Sequence, residues 1–177
     1  HKDFWCVDPI DGTEGYVKHN GMFCISIALI LNKTPVFGLI AHPITRSIWY
    51  NHGDSLWHMG GDLEPQKFEI SKSSVFSSKR AITSTHFGQR LVQFLEDRHY
   101  EHTKKLGSAL KFIELLRGNC DLYPRLSGVS EWDIAAGDAL LRASGGCILD
   151  MNGNPVTYGN PGFKTSPFIA YRCRSFA

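Results

Sequence analysis

The sequence predicts an α+β fold in which an antiparallel sheet precedes a smaller α/β part. Apolar, β-prone runs separated by short turn-rich spacers follow one another between residues 24 and 58, which is typical of an antiparallel meander. Polar residues, including the serine-rich Ser71–Ser78, then interrupt this rhythm. Strand-like and helix-like patterns alternate in the rest of the chain, as in α/β proteins. We therefore expect two parts, residues 1–78 and residues 79–177.

The first part is predicted to contain a meander of short strands. Its members share a high content of apolar and β-branched residues and are bounded by turn-forming residues. They are Cys24–Ile30, Val36–Ala41, Ser47–Tyr50 and Ser55–His58. The turn at Asn32–Pro35 divides the longest apolar stretch, Phe23–Ala41. Neither half is then long enough for a membrane-spanning helix, so we expect no integral membrane segment here.

The second part is predicted to alternate between strands and helices. Apolar residues recur at helical spacing in three segments, between Gly88 and His99, from Leu110 to Leu116, and from Ile134 to Leu141. Ser108 is a candidate N-cap of the second of these helices. Strands are predicted at Ala81–Ser84 and Cys147–Met151.

The composition is that of a folded protein with little overall charge. Apolar residues make up 42% and charged residues 20% of the chain, which excludes a disordered protein. The 19 Lys and Arg and 17 Asp and Glu form no block of like charge, which argues against a large basic surface for nucleic acid. The five cysteines are widely spaced and form no CxxC pair. We interpret them as reduced core residues of a cytoplasmic protein.

The segment DPIDGT, Asp8–Thr13, carries a chemical signal. Pro9 lacks an N–H donor, so we expect the strand before it to end there. Two carboxylates at the end of a strand can converge on Mg²⁺, and the carbonyl of Ile10 lies between them as a further oxygen ligand. Gly12 and Thr13 offer backbone N–H groups to a phosphate where a helix begins. Taken alone, the segment also fits an ordinary turn with a solvated aspartate.

A second acidic position lies far along the chain, in Trp132–Gly137. Here Asp133 stands in the predicted first turn of a helix whose Ala-Ala-Gly surface permits close packing. A carboxylate in that place is stabilised by the helix dipole without any ligand. Asp133 by itself therefore does not establish a metal site. It indicates one only in combination with Asp8–Thr13.

The two segments together resemble the signature motifs of the inositol monophosphatase superfamily, a group of metal-dependent, lithium-sensitive phosphomonoesterases. The motifs are DPIDGT at Asp8–Thr13 and WDIAAGDALLRASGG at Trp132–Gly146. Within the superfamily, the chain is similar to the bacterial CysQ branch, the 3′(2′),5′-bisphosphate nucleotidases. The stretches that carry this similarity are Tyr16–Ile30, Leu106–Phe112, Leu122–Asp133 and Asn160–Ser166.

The resemblance implies a layered αβαβα fold with a mixed sheet in its second part. It also implies two or three Mg²⁺ ions as cofactors. Asp8 would bridge two of them, Ile10 would offer its carbonyl, and Asp11 and Asp133 would hold the second ion. The implied reaction is hydrolysis of the 3′-phosphate of adenosine 3′,5′-bisphosphate, which yields AMP and phosphate.

The resemblance also assigns residues to the substrate. Gly12 and Thr13 would bind the scissile phosphate, and Thr13 would belong to the catalytic set with the three aspartates. The nucleotide would face Gly107, Ser108, Lys111 and Arg125. Ser108 also fits a plain helix N-cap, and Arg125 also fits an ion pair with an acidic neighbour.

Alternatives remain for the function. An inositol monophosphatase or a fructose bisphosphatase of the same superfamily would share the metal residues, although Leu106–Phe112 together with Leu122–Arg125 favours the nucleotidase. The family's glutamate-bearing segment has no counterpart here and is expected before His1. We expect that segment to bring a glutamate to the metals and helices to the apolar meander.

An inactive fragment that acts as a folding or dimerisation module is the alternative of another class. The expected location is the cytoplasm, including the inner face of a bacterial membrane. The sequence does not indicate the number of subunits.

Overall fold

The computed structural model describes residues 2–61, 63–69 and 79–176. Within them, eleven strands form two sheets. The serine-rich Ser71–Ser78, predicted as the boundary between two parts, lies outside the described residues.

The first sheet is an antiparallel meander of six strands that pair in chain order. These are β1 (Asp3–Asp11), β2 (Cys24–Leu31), β3 (Thr34–His42), β4 (Ser47–His52), β5 (Ser55–Gly60) and β6 (Gln66–Phe68). The predicted meander is thus confirmed. Short β6 was missed because three residues give no periodic signal.

The second sheet is mixed, as the resemblance implies. Its strands are β7 (Arg80–Thr83), β8 (Glu101–Lys105), β9 (Leu122–Arg125), β10 (Cys147–Asp150) and β11 (Phe168–Tyr171). They lie in the order β10-β11-β9-β7-β8, with β7 parallel to both of its neighbours and β11 antiparallel to both of its own. The sequence does not predict β8, because its residues EHTKK show no alternation of apolar and polar side chains. This strand lies at the edge of the sheet.

The helices are α1 (Thr13–Val17), α2 (Gln89–Asp97), α3 (Leu110–Leu116) and α4 (Ala135–Ala143), and short 3₁₀ turns span Glu131–Asp133, Pro161–Phe163 and Arg174–Phe176. The three helices predicted in the second part are confirmed. None of the helices in the described part of the chain combines the length and the apolar character that crossing a membrane requires.

Alternating side chains of the second sheet show how the layers stack. Ile82, Tyr123 and Phe168 point into a core shared with α3, α4 and the first sheet. Their sequence neighbours Ala81, Leu122 and Ile169 pack instead with α2. Because successive strand residues face opposite sides of a sheet, α3 and α4 lie between the two sheets and α2 covers the far side of the second. The predicted fold class is confirmed, with the layers sheet, helices, sheet and helix in the described residues, and the division at residue 78 stays a prediction.

Helix α4 packs closely against both of its neighbours in the middle layer. A Cβ added at Gly38 of β3 would collide with the carbonyl oxygen of Ala136, and one added at Gly137 would collide with the ring of Phe112 on α3. Because glycine has no side chain, Gly38 lets α4 lie close to the first sheet and Gly137 lets it lie close to α3.

The opposite face of the first sheet is also apolar. In β2, Cys24, Ala28 and Ile30 are fully buried against the middle layer. On the outer face, Trp5 and Val7 of β1 are 59% and 48% exposed. Strands that are apolar on both faces are typical of sheets covered on both sides.

The structure corrects three local predictions. The strand does not end at Pro9, because β1 continues to Asp11 with an irregular register between Asp8 and Asp11. Such a bulge tolerates a residue without an N–H donor. Asp133 lies in a 3₁₀ turn before α4, with Ile134 outside helical geometry between them. Ser108 is not the N-cap of α3, since its φ is 55° and Ala109 takes that place.

Candidate metal and phosphate site

Three carboxylates converge at one end of the first sheet. One ligand oxygen from each of Asp8, Asp11 and Asp133 lies within 4.8 Å of the others. The bulge at the end of β1 brings Asp8 and Asp11 together, and the turn before α4 adds Asp133. The structure thus brings together the three acidic residues that the sequence singles out.

Each carboxylate is oriented by a backbone N–H group. Ile10 donates to Asp8 Oδ1 at 3.0 Å, and Ser130 donates to Asp133 Oδ2 at 2.9 Å. Asp11 Oδ2 accepts from the N–H of Ala109 and, at 3.6 Å, from the thiol of Cys24.

The other oxygen of each aspartate has no hydrogen bond within the described residues. One oxygen is therefore fixed while its partner remains available as a ligand.

The electrostatics of the cluster suit a cation. The pKa of Asp11 is raised to about 7, chiefly by burial and also by the neighbouring Asp133 and Asp8, against the opposing effects of the Ala109 N–H and Lys111. Burial also raises the pKa of Asp133, with Asp8 contributing. Like charges held this close with free oxygens are costly without a compensating positive charge. A hard divalent ion that prefers carboxylate oxygen fits this donor set.

The cluster borders a cleft of about 360 Å³ between the ends of the two sheets. Seven of the predicted site residues line it: Asp11, Gly12, Gly107, Ser108, Lys111, Arg125 and Asp133. Asp8, Ile10 and Thr13 are not among the residues that line it: Asp8 and Ile10 stand on β1, where Ile10 is 38% exposed, and Thr13 begins α1. Their roles as metal and phosphate contacts stay predictions.

Gly12 lines the cleft and has a backbone conformation that requires glycine. Its φ of 89° is left-handed, a conformation that side chains disfavour. An added Cβ would also collide with the carbonyl oxygen of Met22 and lie 2.9 Å from the Cβ of Ser108. Glycine is therefore required here for α1 to begin against the loop that precedes α3.

Lys111 and Arg125, the two basic residues expected to face the nucleotide, differ in their surroundings. Lys111 is only 5% exposed. Its ammonium donates to the carbonyls of Leu106 at 3.2 Å and Ser108 at 2.6 Å, which closes the loop before α3. Arg125 donates to Ser84 Oγ at 2.7 Å, and within the described chain no carboxylate lies at ion-pair distance from it. The alternative of an ion pair for Arg125 is thus not supported, and its charge is available to an anion.

Sequence reasoning missed a polar bridge at the mouth of the cleft. Glu14 on α1 accepts from Lys18 at 2.6 Å and contacts His86, in the loop after β7, at 3.1 Å. All three residues line the cleft. The spacing of four between Glu14 and Lys18 is a signal that the sequence offers. No local pattern could have placed His86 beside them, because 72 positions separate it from Glu14.

The raised pKa of Asp11 predicts a pH dependence of stability in metal-free protein. The pKa of Asp11 is about 7 in the folded state against 3.8 for an ordinary aspartate, so from about pH 4 to about pH 7 the folded state binds more protons. The free energy of unfolding contributed by Asp11 therefore falls as pH rises through this window. Asp11→Asn removes that contribution, and the variant should become relatively more stable towards neutral pH.

Thermal unfolding in chelator across this window measures the effect as the difference in Tm between wild type and variant. A difference that does not change with pH would contradict the raised pKa. Asp54→Asn, in the exposed β4–β5 turn, is the matched control.

Comparisons with known proteins find a matching family. The model of the inositol monophosphatase family matches residues 1–172. Similar curated proteins include the 3′(2′),5′-bisphosphate nucleotidases CysQ of Salmonella typhimurium, 32% identical over 169 residues, and of Escherichia coli K12, 31% identical over 169 residues. Each alignment covers 92% of this chain and 68% of the relative.

Solved structures give the same result for the fold. CysQ from Bacteroides thetaiotaomicron matches with a TM-score of 0.84 and 25% identity, over 96% of this chain and 70% of that one. Inositol monophosphate-bound SaIMPase-II matches with a TM-score of 0.77 at 21% identity, over 97% and 65% of the two chains. The second likeness shows a shared fold alone. From the family match along nearly its whole length and the identity to these relatives, the chain belongs to the inositol monophosphatase family.

Proposed function

We propose that this protein is a Mg²⁺-dependent phosphomonoesterase that removes the 3′-phosphate of adenosine 3′,5′-bisphosphate. One observation carries the proposal: the carboxylates Asp11 and Asp133 and the cations Lys111 and Arg125 line the same cleft. An acidic cluster suits metal ions, and separate cations suit a substrate with more than one phosphate. The similarity to CysQ nucleotidases supports the choice of substrate.

Four residues would hold the metal ions. Asp8, Asp11 and Asp133 would contribute carboxylate oxygens and Ile10 its carbonyl, for the two or three ions that the family resemblance implies. When bound, Mg²⁺ supplies a water of lowered pKa and offsets charge on the phosphoryl group. The fixed oxygens of the three aspartates orient the remaining ones, so the chain itself sets the ligand geometry.

The residues around the cluster would hold the substrate. The N–H groups of Gly12 and Thr13 would bind oxygens of the 3′-phosphate, and Arg125 would bind the 5′-phosphate. In hydrolysis, the oxygen of a water molecule forms a new bond to phosphorus while the bond from phosphorus to O3′ breaks. One proton of the water ends on O3′ and the other is shared between phosphate and solvent, which leaves AMP and inorganic phosphate.

Phosphate release tests the proposal. Purified protein is incubated with adenosine 3′,5′-bisphosphate or with inositol 1-phosphate, in Mg²⁺ or in chelator. Faster, Mg²⁺-dependent release from the bisphosphate supports the nucleotidase. Faster release from inositol 1-phosphate would indicate an inositol monophosphatase instead of a nucleotidase. No phosphate release from folded protein would favour the inactive module.

Arg125→Ala is expected to change substrate choice. Loss of a charge-assisted hydrogen bond of about 1.5–3 kcal/mol should lower kcat/KM for the bisphosphate roughly 10- to 100-fold. Turnover of inositol 1-phosphate, which has no second phosphate, should change little. Arg125→Lys should recover part of the loss, and Lys67→Ala, which removes a cation that does not line the cleft, serves as the control. Equal losses on both substrates would indicate structural damage.

Lys111→Ala is expected to behave differently from Arg125→Ala. The ammonium of Lys111 binds the carbonyls of Leu106 and Ser108. Its removal should loosen the loop before α3 and reduce turnover of both substrates, in addition to any direct contact with the nucleotide. Comparison of kcat/KM for the two substrates separates the two effects.

A further inference from the structure

A segment near the end of the chain lies along the turn that carries Asp133. We name residues 159–165 the strap and residues 129–133 the acidic turn. Ser130 and Lys164 form an antiparallel bridge between them. The N–H of Thr165 donates to the carbonyl of Val129 at 2.9 Å, and Thr165 Oγ1 accepts from the N–H of Val129 at 3.1 Å. The strap therefore fixes the backbone of the acidic turn at its first two residues.

Glu131 anchors the other end of the strap. Its carboxylate is fully buried and accepts three hydrogen bonds, from the N–H groups of Gly159 and Asn160 at 2.8 Å each and from Asn160 Nδ2 at 2.9 Å. Within the described residues no Lys, Arg or His lies at ion-pair distance from it. A buried carboxylate without a cation depends on its hydrogen bonds, so strap and acidic turn hold each other in one conformation.

Lys164 connects the strap to the carboxylate of Asp133. Its ammonium donates to Ser130 Oγ at 2.8 Å, and the N–H of Ser130 donates to Asp133 Oδ2 at 2.9 Å. Ser130 and Asp133 also form a reciprocal capping box, in which the Ser130 side chain accepts from the backbone of Asp133. Lys164 is itself exposed and does not line the cleft. It can therefore affect the cluster only through the acidic turn and its charge.

We propose that Lys164 is a positioning residue, which holds Ser130 so that Asp133 presents its free oxygen to the metal ions. This inference rests on the metal role of Asp133 in the proposed function. Partners that orient a metal ligand typically affect metal affinity by about 10- to 100-fold. Because Lys164 acts one hydrogen bond further away, we expect an effect near the lower end of that range.

Direct metal binding tests the inference. Wild type, Lys164→Met and Lys164→Arg are titrated with Mn²⁺ by electron paramagnetic resonance and with Mg²⁺ by calorimetry, and Tm is measured in chelator. Lys164→Met should weaken metal binding about tenfold with little change in Tm, whereas Lys164→Arg should stay close to wild type. Asn160→Ala, which removes one donor to Glu131, should weaken binding in the same direction.

Two results would overturn the inference. One is unchanged metal binding in Lys164→Met, and the other is equal loss in Lys164→Met and the surface control Lys67→Met. Asp133→Asn separates this inference from the proposed function. If Asp133→Asn weakens metal binding and Lys164→Met does not, only the positioning role fails. If metal binds as expected but the bisphosphate is not hydrolysed, the positioning role stands and the proposed substrate fails.

Discussion

Replacing Asp8 or Asp133 by asparagine should lower turnover of the bisphosphate by on the order of a thousandfold or more. Their oxygens lie within 4.8 Å of each other and of Asp11, so one substitution removes a negative ligand from the whole cluster. A thousandfold loss corresponds to about 4 kcal/mol of transition-state stabilisation, the magnitude expected if these carboxylates hold the metal ions as proposed. Steady-state kinetics across a wide range of Mg²⁺ concentration measure the loss.

The fold should survive both substitutions, because asparagine retains an oxygen that can accept the N–H of Ile10 or Ser130. Circular dichroism and Tm check this, and Asp54→Asn in the exposed β4–β5 turn provides the matched change of charge. Activity close to wild type at saturating Mg²⁺ would show that the acidic cluster is not the metal site.

Gly12→Ala is expected to have the second-largest effect. The φ of 89° costs alanine about 1–2 kcal/mol, and the collision with the Met22 carbonyl forces the backbone to move. Displacement of about 1 Å beside a reacting group can lower the rate about a hundredfold. We therefore expect turnover to fall at least about a hundredfold and Tm to decrease.

The chain offers a close control for Gly12→Ala. Gly53 also has a left-handed φ, 57°, but an added Cβ there would meet nothing within 4 Å. Gly53→Ala should therefore show the conformational cost in Tm without the loss of turnover. If both variants keep full activity, close approach at Gly12 is not needed for catalysis.

The elements that the sequence predicts best are those whose side chains repeat at a regular spacing. Apolar β-prone runs revealed β2 to β5, and the spacing of Leu91, Phe94 and Leu95 revealed α2. Polar β8 carries no such repeat. The bulge at Pro9 could not be predicted from local propensity, because its stability depends on pairing of β1 with β2.

The candidate site likewise has a part that the sequence predicts and a part that it does not. Asp8, Asp11 and Asp133 were recognised because they stand in two short motifs of fixed spacing. The bridge from Glu14 to His86 and the strap along the acidic turn depend on contacts between segments far apart in sequence. Single-sequence patterns contain no information on such pairs. For that reason the three aspartates could be predicted from the sequence and the groups that orient them could not.

The close packing of α4 bears on which ion the proposed metal site would accept. Asp133 stands just before α4, and Asp8 and Asp11 stand on the sheet against which α4 packs without intervening side chains at Gly38. Closely packed elements resist separation, so the spacing between the ligands cannot widen easily. Mg²⁺ binds oxygen at about 2.0–2.1 Å in a strict octahedron, whereas Ca²⁺ needs about 2.3–2.6 Å and more ligands. We therefore expect the proposed metal site to bind the smaller Mg²⁺ in preference to Ca²⁺.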